Sequence, residues 1–455
     1  PYHPSVSGQG YVEIPIGEIY VAARAAVRKA IKERGTRVAG LSIASQGQTF
    51  VSLDEKDRPL HPAIMWYDSR ASEQGERLNR TLLAADSDAP VPQIDGMATA
   101  PKIMWMRDHY PDLMVRARRY LLLPDYFTYR LTGKAVTDPN TASSTGLYAD
   151  DASDYSALAL RAAGIPKDQL AGIQSAGTPI ARVRPRMAKE WGLDPETLVV
   201  TGTNDQYAGA LGAGNCRPGI LSETTGSCLA LVTLTEKLPD PLPDGLFGGP
   251  FPIPQYQFAL AYSKTAGLVL EWFHRAFCPG QSLQDLDEMA SHVPIGSHGV
   301  LVLPHFDGTI SPAPDPDARG AFCNLTLHHT RADMYRALLE SLAFSLYENI
   351  EYLIHNGFSI EVIRSIGGGA RSDFWLQMKA DVTGFSVERP VVTEAAVSGA
   401  AMLAAVGDGA FPSIGACSER FFRRDRIFAP DPGHHRLYKV LYKRYLDLCR
   451  KMYAK

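Results

Sequence analysis

The stretch that decides the fold runs from residue 198 to residue 214 and reads LVVTGTNDQYAGALGAG. An apolar run, Leu198 to Val200, leads into Thr, Gly and Asn residues, and these are followed by Asp205 and a run of small residues. The pattern predicts a strand, a turn and a helix, with the turn at the carboxyl end of the strand, where open α/β sheets bind ligands. Asp205 should therefore lie at a helix N-terminus.

Asp205 is a candidate for acid–base chemistry. At a helix N-terminus, the helix dipole and the free backbone N–H groups should favour its ionised form. A fixed, ionised carboxylate can accept the proton of a hydroxyl as a phosphoryl group arrives. The alternative is that Asp205 only caps the helix, which is the ordinary role of an isolated Asp in this setting.

Composition narrows the class of protein. The chain has 455 residues, of which 45% are hydrophobic and 21% charged, and its net charge is −3. This length predicts two large domains of a soluble globular protein. Because no long Lys/Arg run and no apolar stretch of membrane-spanning length occurs, we expect neither a nucleic-acid nor a membrane partner. Six cysteines without a CxxC pair favour reduced thiols over a zinc site or disulfides, which indicates the cytoplasm.

Both halves of the chain alternate helical and strand patterns, which predicts an α/β fold. Helices are expected over 16–34, 125–131, 334–357 and 393–406, with strands over 38–43, 49–53, 62–66 and 361–366. Two further strands are expected within 219–234, followed by a long loop over 236–256. A domain boundary is expected between Gly212 and Gly219.

Two glycine-rich turns are candidate anion sites. The turn TGS at 225–227 lies between two predicted strands and would direct N–H groups and hydroxyls at an anion, although hairpin turns often contain Gly without a ligand. The turn GGGA at 367–370 precedes a helix whose N-cap we expect to be Ser372, and it would let a flat ligand or a phosphate approach the backbone. A tight turn without a ligand explains the second turn equally well. Neither GxGxxG nor the Walker A pattern occurs, which disfavours P-loop chemistry.

Five segments, taken in order, resemble those of one family. They are SQGQ at 45–48 leading to PAIMWYDSR at 62–70, PKIMWMRD at 101–108, residues 202–214, DPDARG at 315–320 running on to Glu340, and GGGARS at 367–372. The chain resembles the FGGY carbohydrate kinases of the actin-like/hexokinase/Hsp70 ATPase superfamily, with a pattern most similar to that of xylulokinases. The resemblance covers nearly the whole chain.

The resemblance implies a fold, a reaction and two cosubstrates. The fold is α/β, with two actin-like (ribonuclease H-like) domains around a central cleft. Residues 1–213 would form the N-terminal sugar-binding domain and residues 214–455 the C-terminal ATP-binding domain. The enzyme would be a phosphotransferase with an alcohol group as acceptor, using ATP and Mg²⁺.

Site residues also follow from the resemblance. Asp205 would be the general base. The positions that would contact the sugar are Gln46, Gln48, Asp205 and Gln206. The positions that would contact ATP are Gly226, Ser227, Gly267, Gly368, Gly369 and Asp373. The metal ligands stay unassigned. Asp68 and Arg70 are expected to form a structural ion pair that shapes the sugar pocket rather than to act in catalysis.

Two departures from the family pattern concern substrate and phosphate binding. The family begins with a β-hairpin that carries an Asp-Gly-Thr phosphate turn, and the sequence begins beyond it, at Pro1. We expect the sequence to be trimmed, because loss of a central hairpin would expose sheet edges. Gln48 stands where xylulokinases commonly carry His, and the Arg and acidic residue that glycerol kinases carry near Gly47 are absent.

The function expected is therefore ATP-dependent phosphorylation of a small uncharged sugar, with a ketopentose such as xylulose favoured. The amides of Gln46 and Gln48 suit neutral hydroxyls better than a charged acid, because amides both donate and accept hydrogen bonds. Two alternatives stay open: a kinase for a polyol or another ketose (glycerol, erythritol or ribulose), and a non-catalytic sugar- or nucleotide-binding protein. The sequence specifies neither the hydroxyl that is phosphorylated nor the oligomeric state, for which a homodimer is one alternative.

Overall fold

The computed structural model describes residues 4–7, 10–85, 94–149 and 154–453. The chain divides into two compact units. Unit 1 comprises residues 1–212, 249–255 and 396–420, and unit 2 comprises residues 213–248, 256–395 and 421–455. Two later segments thus belong to unit 1, so neither unit is one continuous stretch of chain.

Unit 1 contains twelve strands among its described residues. They are β1 Ser5–Val6, β2 Val12–Ile14, β3 Gly40–Ser45, β4 Phe50–Leu53, β5 Ala63–Ile64, β6 Arg119–Leu122, β7 Val136–Thr137, β8 Tyr148–Ala149, β9 Asp154–Tyr155, β10 Gly172–Ile173, β11 Pro179–Arg182 and β12 Leu198–Asn204. One sheet has the order β1-β2-β5-β4-β6, and a second has the order β11-β12-β3. Two-stranded pairs join β7 with β10 and β8 with β9.

The helices of the first 212 residues surround these sheets. They are α1 Ile16–Arg34, α2 Ser72–Ala85, α3 Thr99–His109, α4 Pro111–Met114, α5 Leu123–Thr132, α6 Pro139–Ser143, α7 Ala157–Ala163, α8 Pro185–Trp191 and α9 Asp205–Gly212. The helix predicted over 16–34 is confirmed, and Gly35 ends it in the left-handed conformation with φ 64°. A 3₁₀ helix spans Lys167–Gln169.

Unit 2 is built on one seven-stranded sheet and a separate two-stranded pair. The nine strands described are β13 Gly219–Thr225, β14 Leu229–Thr235, β15 Leu246–Pro250, β16 Gln257–Ser263, β17 Leu301–Leu303, β18 Ala321–Cys323, β19 Ile360–Ile366, β20 Val387–Pro390 and β21 Arg424–Phe428. The large sheet has the order β15-β16-β14-β13-β19-β20-β21, and β17 pairs with β18. The predicted hairpin within 219–234 is confirmed as β13 and β14.

The remaining helices follow along the chain. They are α10 Gly267–Phe277, α11 Leu283–Ser291, α12 Arg331–His355, α13 Asp373–Thr383, α14 Ala395–Gly407, α15 Ile414–Phe421 and α16 Pro432–Tyr453, with 3₁₀ helices at Ser297–Gly299 and Gly368–Arg371. The core of unit 2 lies around α12, whose buried residues include Leu338, Leu342 and Leu346. Among the helices of the described residues, none is both long and apolar enough to cross a membrane.

Two sequence expectations were wrong in detail. The strand predicted over 62–66 is only Ala63–Ile64, because the chain turns at Trp66, whose N–H donates to Thr49 Oγ1 at 2.9 Å. The loop predicted over 236–256 contains β15, which joins the edge of the large sheet. In both cases a partner distant in sequence decides where the strand forms.

Helix α14 shows why a late segment returns to unit 1. A side chain at Gly399 would clash with the backbone carbonyl of Ala208 in α9. The two helices therefore approach so closely that only glycine fits at this crossing. The Ala- and Gly-rich composition of residues 393–406 serves this close packing.

Candidate active site

The strand that leads to Asp205 passes unusually close to its neighbour. β12 pairs in parallel with β3, and the register shifts between Val200 and Thr203. Within this shift, a side chain at Gly202 would clash with the backbone of Ile43. Residues 201–204 were predicted as a turn, but they continue the strand through this irregularity, and glycine at position 202 permits the approach.

Parallel pairing brings two loops together at one edge of this sheet. Asn204 at the end of β12 lies opposite Ser45 at the end of β3. Residues 46–49 therefore leave β3 beside the start of α9. The loop contacts are close, because a Cβ at Gly47 would lie 2.7 Å from Asn204 Nδ2 and 2.9 Å from Ser144 Oγ. The structure thus places Gln46 and Gln48 on the loop that adjoins Asp205.

Asp205 is the first residue of α9 and is not its cap. Asn204 Oδ1 accepts the N–H of Gln206 at 2.9 Å, so Asn204 occupies the N-cap position. Asp205 therefore stands one residue inside the N-cap position, and its role as a general base stays a prediction. Asp205 keeps an exposed surface, and among the described residues no Lys or Arg side chain forms an ion pair with it.

The pKa of Asp205 shifts in the direction opposite to the one expected from its place at a helix N-terminus. The surrounding protein displaces water from the carboxyl and raises its pKa above the ordinary value of 3.8, although hydrogen bonds from the N–H groups of Gln206 and of Asp205 itself lower it. The helix N-terminus does favour the ionised form, as expected, but desolvation is the larger effect. A carboxylate with a raised pKa is a stronger proton acceptor once it is ionised.

The three glutamines predicted to contact sugar lie near Asp205. Gln206 is its neighbour in sequence, and Gln46 and Gln48 follow β3, the strand that pairs with β12. Gln46 and Gln48 are half-buried, and Gln206 follows Asp205 in α9. The Gln46 amide nitrogen lies 4.0 Å from Met65 Sδ, and the Gln48 carbonyl accepts a bond from Thr99 Oγ1 at 3.4 Å. The side-chain amide of Gln48 makes no hydrogen bond to the part of the protein that is described.

Asp138 is a residue that the sequence analysis missed. Its carboxylate accepts the hydroxyl of Thr203 at 2.8 Å and the N–H of Thr141 at 3.1 Å, and burial raises its pKa to about 6. It caps α6 and holds β12 two residues before Asp205. The dipeptide Asp138-Pro139, a helix cap followed by a proline at the first helical position, was the available signal.

The ion pair of Asp68 and Arg70 has the structural character that was expected. The carboxylate and guanidinium are 2.7 Å apart, and both side chains are inaccessible to solvent. Burial alone would raise the pKa of Asp68, but hydrogen bonds from Arg70 and from the Val12 N–H lower it. The guanidinium also stacks on the rings of Tyr11 and Trp105, at 4.2 and 4.8 Å from their centroids.

Lys102 holds the backbone just before Asp68 and Arg70. Its Nζ donates to the carbonyls of Met65 and Trp66, both at 2.9 Å. The side chain is buried, and desolvation lowers its pKa to about 7. An amine can donate to both carbonyls whether it is charged or neutral. Lys102 therefore fixes the backbone of Met65 and Trp66, which leads to Asp68.

In unit 2, parallel pairing again brings two turns to one sheet edge. Thr224 of β13 lies opposite Ile366 of β19. The hairpin turn 226–228 follows β13, and the glycine turn 367–369 follows β19. The two turns predicted to bind anions are thus neighbours at the carboxyl ends of adjacent parallel strands.

The predicted ATP residues of the hairpin differ in their surroundings. Gly226 and Ser227 are exposed, and a Cβ at Gly226 would have no protein atom within 4 Å. A Cβ at Gly267 would instead clash with the Gly226 carbonyl, which accepts the Gly267 N–H at 3.0 Å. Gly267 therefore lets the start of α10 pack on the hairpin, whereas Gly226 faces open space.

The glycine turn also has one open glycine and one packed glycine. Gly368 is exposed, and a Cβ there would make only ordinary contact with the Thr225 carbonyl oxygen at 3.8 Å. A Cβ at Gly369 would lie 2.7 Å from Thr225 Cβ and 3.0 Å from the Trp375 ring. Packing within the protein therefore requires glycine at position 369, and the open side of the turn lies at Gly368.

Asp373 begins α13, and Ser372 is its N-cap as expected, with Ser372 Oγ accepting the Trp375 N–H at 3.0 Å. The Asp373 carboxylate lies 2.5 Å from Arg389 and also pairs with Arg426. Its side chain is about half exposed. Among the residues described, no three His, Cys, Asp or Glu side chains form a group that could hold a metal ion.

Comparison with family models identifies the chain. The model of the FGGY carbohydrate kinase N-terminal domain matches residues 2–212, and that of the C-terminal domain matches residues 224–407. The chain belongs to the FGGY family of carbohydrate kinases. It is therefore a phosphotransferase with an alcohol group as acceptor, and the family implies ATP as phosphoryl donor.

Individual proteins agree with this assignment. A xylulose kinase of Staphylococcus epidermidis is 30% identical over 447 residues, which cover 96% of this chain and 88% of that protein. An autoinducer-2 kinase of Salmonella paratyphi A is 28% identical, covering 94% of this chain and 84% of that protein. A ligand-bound xylulose kinase from Lactobacillus acidophilus has a TM-score of 0.89 at 24% identity over 100% of this chain and 92% of that one. The predicted α/β fold with two domains is confirmed.

Lys102→Met tests the support of the loop 65–70. Methionine keeps the packing but cannot donate to the Met65 and Trp66 carbonyls, so the free energy of unfolding should fall by about 1–3 kcal/mol at neutral pH. Between pH 7 and the ordinary lysine pKa of 10.5, unfolded wild type binds a proton that the native state does not. The wild-type advantage should therefore grow as pH rises through this range.

Denaturant unfolding at several pH values measures this difference. Lys134→Met, at an exposed lysine of unit 1, is the control and should show no comparable change with pH. A difference between wild type and Lys102→Met that stays constant from pH 7 to 10 would contradict the lowered pKa of Lys102.

Proposed function

We propose that this kinase transfers the γ-phosphoryl group of ATP to a hydroxyl of a small uncharged sugar, a ketopentose such as xylulose, with Asp205 as general base. The observation that carries the proposal is the position of Asp205. It lies at the first residue of α9, exposed, without a basic partner among the described residues, and beside the loop that carries Gln46 and Gln48.

The chemistry asked of unit 1 is proton transfer and positioning. Asp205 would accept the proton of the attacking hydroxyl, and the amides of Gln46, Gln48 and Gln206 would orient the sugar through its other hydroxyls. Phosphoryl transfer needs little covalent participation from the protein, so a fixed base and a fixed acceptor supply most of what unit 1 contributes. The bond of Asp138 to Thr203 supports this role, because it fixes the strand that ends beside Asp205.

We assign ATP binding to unit 2. Gly226, Ser227 and Gly368 present exposed backbone at the ends of adjacent parallel strands, which suits the approach of phosphates. Gly267 and Gly369 would act indirectly, because the absence of a side chain lets α10 and Trp375 pack against these turns. Asp373 would act through Arg389 and Arg426, which it pairs with, or meet the nucleoside directly.

Mg²⁺ fits this arrangement as an ion that the nucleotide brings. Mg²⁺ is usually held by one or two carboxylates, water and the phosphates of the substrate, and needs no cage of protein ligands. The chemistry that Mg²⁺ would supply is neutralisation of the charge that develops during transfer.

The choice of sugar rests on the glutamines and on relatives. The 30% identical relative is a xylulose kinase, and uncharged amides favour a neutral substrate. The 28% identical autoinducer-2 kinase is named for a different substrate, so a polyol or another ketose is kept as the alternative. A panel of ketoses and polyols assayed by ADP release would separate these substrates.

We place the reaction in the cytoplasm. None of the six cysteines forms a disulfide, as is usual for proteins of a reducing compartment. ATP and sugar are the partners that this proposal requires.

Asp205→Asn should abolish most activity. Asparagine keeps the shape of the side chain but cannot accept the proton, so kcat should fall about a hundredfold or more, while sugar binding stays within a similar range. In wild type, kcat should fall as pH decreases through the pKa of Asp205, at a pH above that of an ordinary Asp, since only the ionised carboxylate acts.

Steady-state kinetics over pH 4–8 together with calorimetric titration of sugar measures both effects. Asp408→Asn, at an exposed position of unit 1, is the control. Near-normal turnover of Asp205→Asn would exclude Asp205 as the base.

Gln48→Leu should weaken sugar binding selectively. Leucine leaves sugar hydroxyls unpaired in a half-buried site, and each lost bond costs about 1–3 kcal/mol, so the sugar KM should rise roughly tenfold or more. The KM for ATP should change little. Gln48→His, which keeps one donor and one acceptor, should lose less. An unchanged sugar KM in Gln48→Leu would show that Gln48 does not contact the sugar.

Gly368→Val should weaken nucleotide binding without unfolding the protein. The added side chain enters the open space beside the turn, so the Kd of Mg-ADP should rise roughly tenfold or more. Gly369→Val is the matched comparison, because its side chain meets Thr225 and Trp375 and should lower Tm. Calorimetry and thermal unfolding distinguish the two. Native Mg-ADP affinity in a folded Gly368→Val would contradict the proposed approach of the nucleotide.

A further inference from the structure

We propose that a buried ion pair, Glu223 with Lys379, positions the two exposed turns of unit 2 for nucleotide binding. The inference rests on the proposed function, since it assigns ATP to these turns. Neither residue was singled out by the sequence analysis, and neither touches the open side of a turn. They are positioning residues that act through the groups they hold.

The pair is closed off from solvent. Lys379 Nζ lies 3.0 Å from each carboxylate oxygen of Glu223, and the two side chains are 2% and 0% exposed. Removing both charges from water is unfavourable, and their attraction offsets this desolvation only when the geometry is favourable. A buried ion pair often contributes little to the free energy of unfolding. The hydrogen bonds that Glu223 and Lys379 make to neighbouring hydroxyls therefore indicate their role better.

Glu223 links the ends of the two central strands. It stands on β13, two residues before the end of that strand, and its two oxygens accept the hydroxyls of Thr225 and Ser365. Thr225 is the last residue of β13, directly before the hairpin turn. Ser365 stands on β19, two residues before Gly367. One carboxylate therefore ties the base of both turns together.

Lys379 closes the arrangement from the helix α13. Its Nζ also donates to Thr225 Oγ1 at 3.1 Å and lies 4.1 Å from the centre of the Trp375 ring. The Trp375 ring and Thr225 are the groups that a Cβ at Gly369 would meet. A continuous ring of contacts thus runs from Glu223 through Thr225, Gly369 and Trp375 to Lys379.

This ring explains why charge, rather than two apolar side chains, occupies the site. Apolar residues of similar volume would fill the space and would often be as stable, but they could not orient the hydroxyls of Thr225 and Ser365. Backbone pairing of β13 with β19 sets the distance between the two strands, and fixing these hydroxyls would hold the hairpin turn and the glycine turn in one arrangement at the strand ends. A nucleotide that contacts both turns would bind less well if that arrangement varied.

Two double variants separate positioning from stability. Glu223→Leu with Lys379→Met removes the charges and the hydroxyl bonds while keeping the volume. Glu223→Gln with Lys379→Met also removes the charges but keeps an oxygen that accepts a hydroxyl. Neither leaves a buried charge unpaired. The Kd of Mg-ADP from calorimetry, the KM values for ATP and sugar, and Tm are measured for both and for wild type.

The proposal expects a split between the variants. The Leu/Met variant should keep Tm near or above that of wild type, raise the Kd of Mg-ADP and the KM of ATP roughly tenfold, and leave the sugar KM unchanged. The Gln/Met variant should recover most of the Mg-ADP affinity. Ser365→Ala, which removes the link to β19 and keeps the ion pair, should weaken Mg-ADP binding in the same direction, and it carries the test if the Leu/Met variant does not fold.

Other outcomes have distinct meanings. Wild-type Mg-ADP affinity in a folded Leu/Met variant, or in Ser365→Ala, would overturn the positioning role and leave the nucleotide site intact. Equal losses for sugar and nucleotide would also overturn it, because they indicate a general folding defect. Wild type that binds no Mg-ADP would instead contradict the nucleotide site of the proposed function.

Discussion

Parallel strand pairing is the constraint on which both candidate sites depend. In unit 1, β12 and β3 end side by side, with Asn204 opposite Ser45. In unit 2, β13 and β19 end side by side, with Thr224 opposite Ile366. Because parallel strands present their carboxyl ends at one edge, residues separated by more than 130 positions in sequence meet there without any long loop. The same geometry thus places a carboxylate beside polar amides in one unit and two glycine turns side by side in the other.

Local signals in the sequence predicted the elements that carry these sites. Helix α1 ends at Gly35, α13 begins after Ser372, and α9 begins at Asp205, because capping depends on residues within a turn of the helix end. The ordered family motifs added the fold and the reaction class, and both were confirmed. What stays a prediction is the role of each site residue.

The details that sequence could not supply are set by contacts between distant residues. The cap of α9 is Asn204 rather than Asp205, and that choice is visible only in the hydrogen bond to Gln206. Gly369 was assigned to the nucleotide, but Thr225 and Trp375 already require glycine there. The raised pKa of Asp205 also follows from the surrounding protein, which no local motif records. In each case the residue type follows from the local sequence, whereas the contacts around it follow from the fold, and the nucleotide role of Gly369 stays a prediction.

A buried ionisable side chain that holds nearby backbone or hydroxyl groups is common to both units. Lys102 holds the backbone at Met65 and Trp66 in unit 1, and Glu223 holds Thr225 and Ser365 in unit 2. Desolvation lowers the pKa of Lys102 and of Lys379, so each lysine is kept at an energetic cost. Apolar side chains would avoid that cost, but dispersion contacts have no direction, whereas a hydrogen bond to a carbonyl or hydroxyl fixes one orientation. A kinase that works mainly by positioning needs that fixed orientation at the edge of each sheet, where exposed turns have few packing contacts of their own.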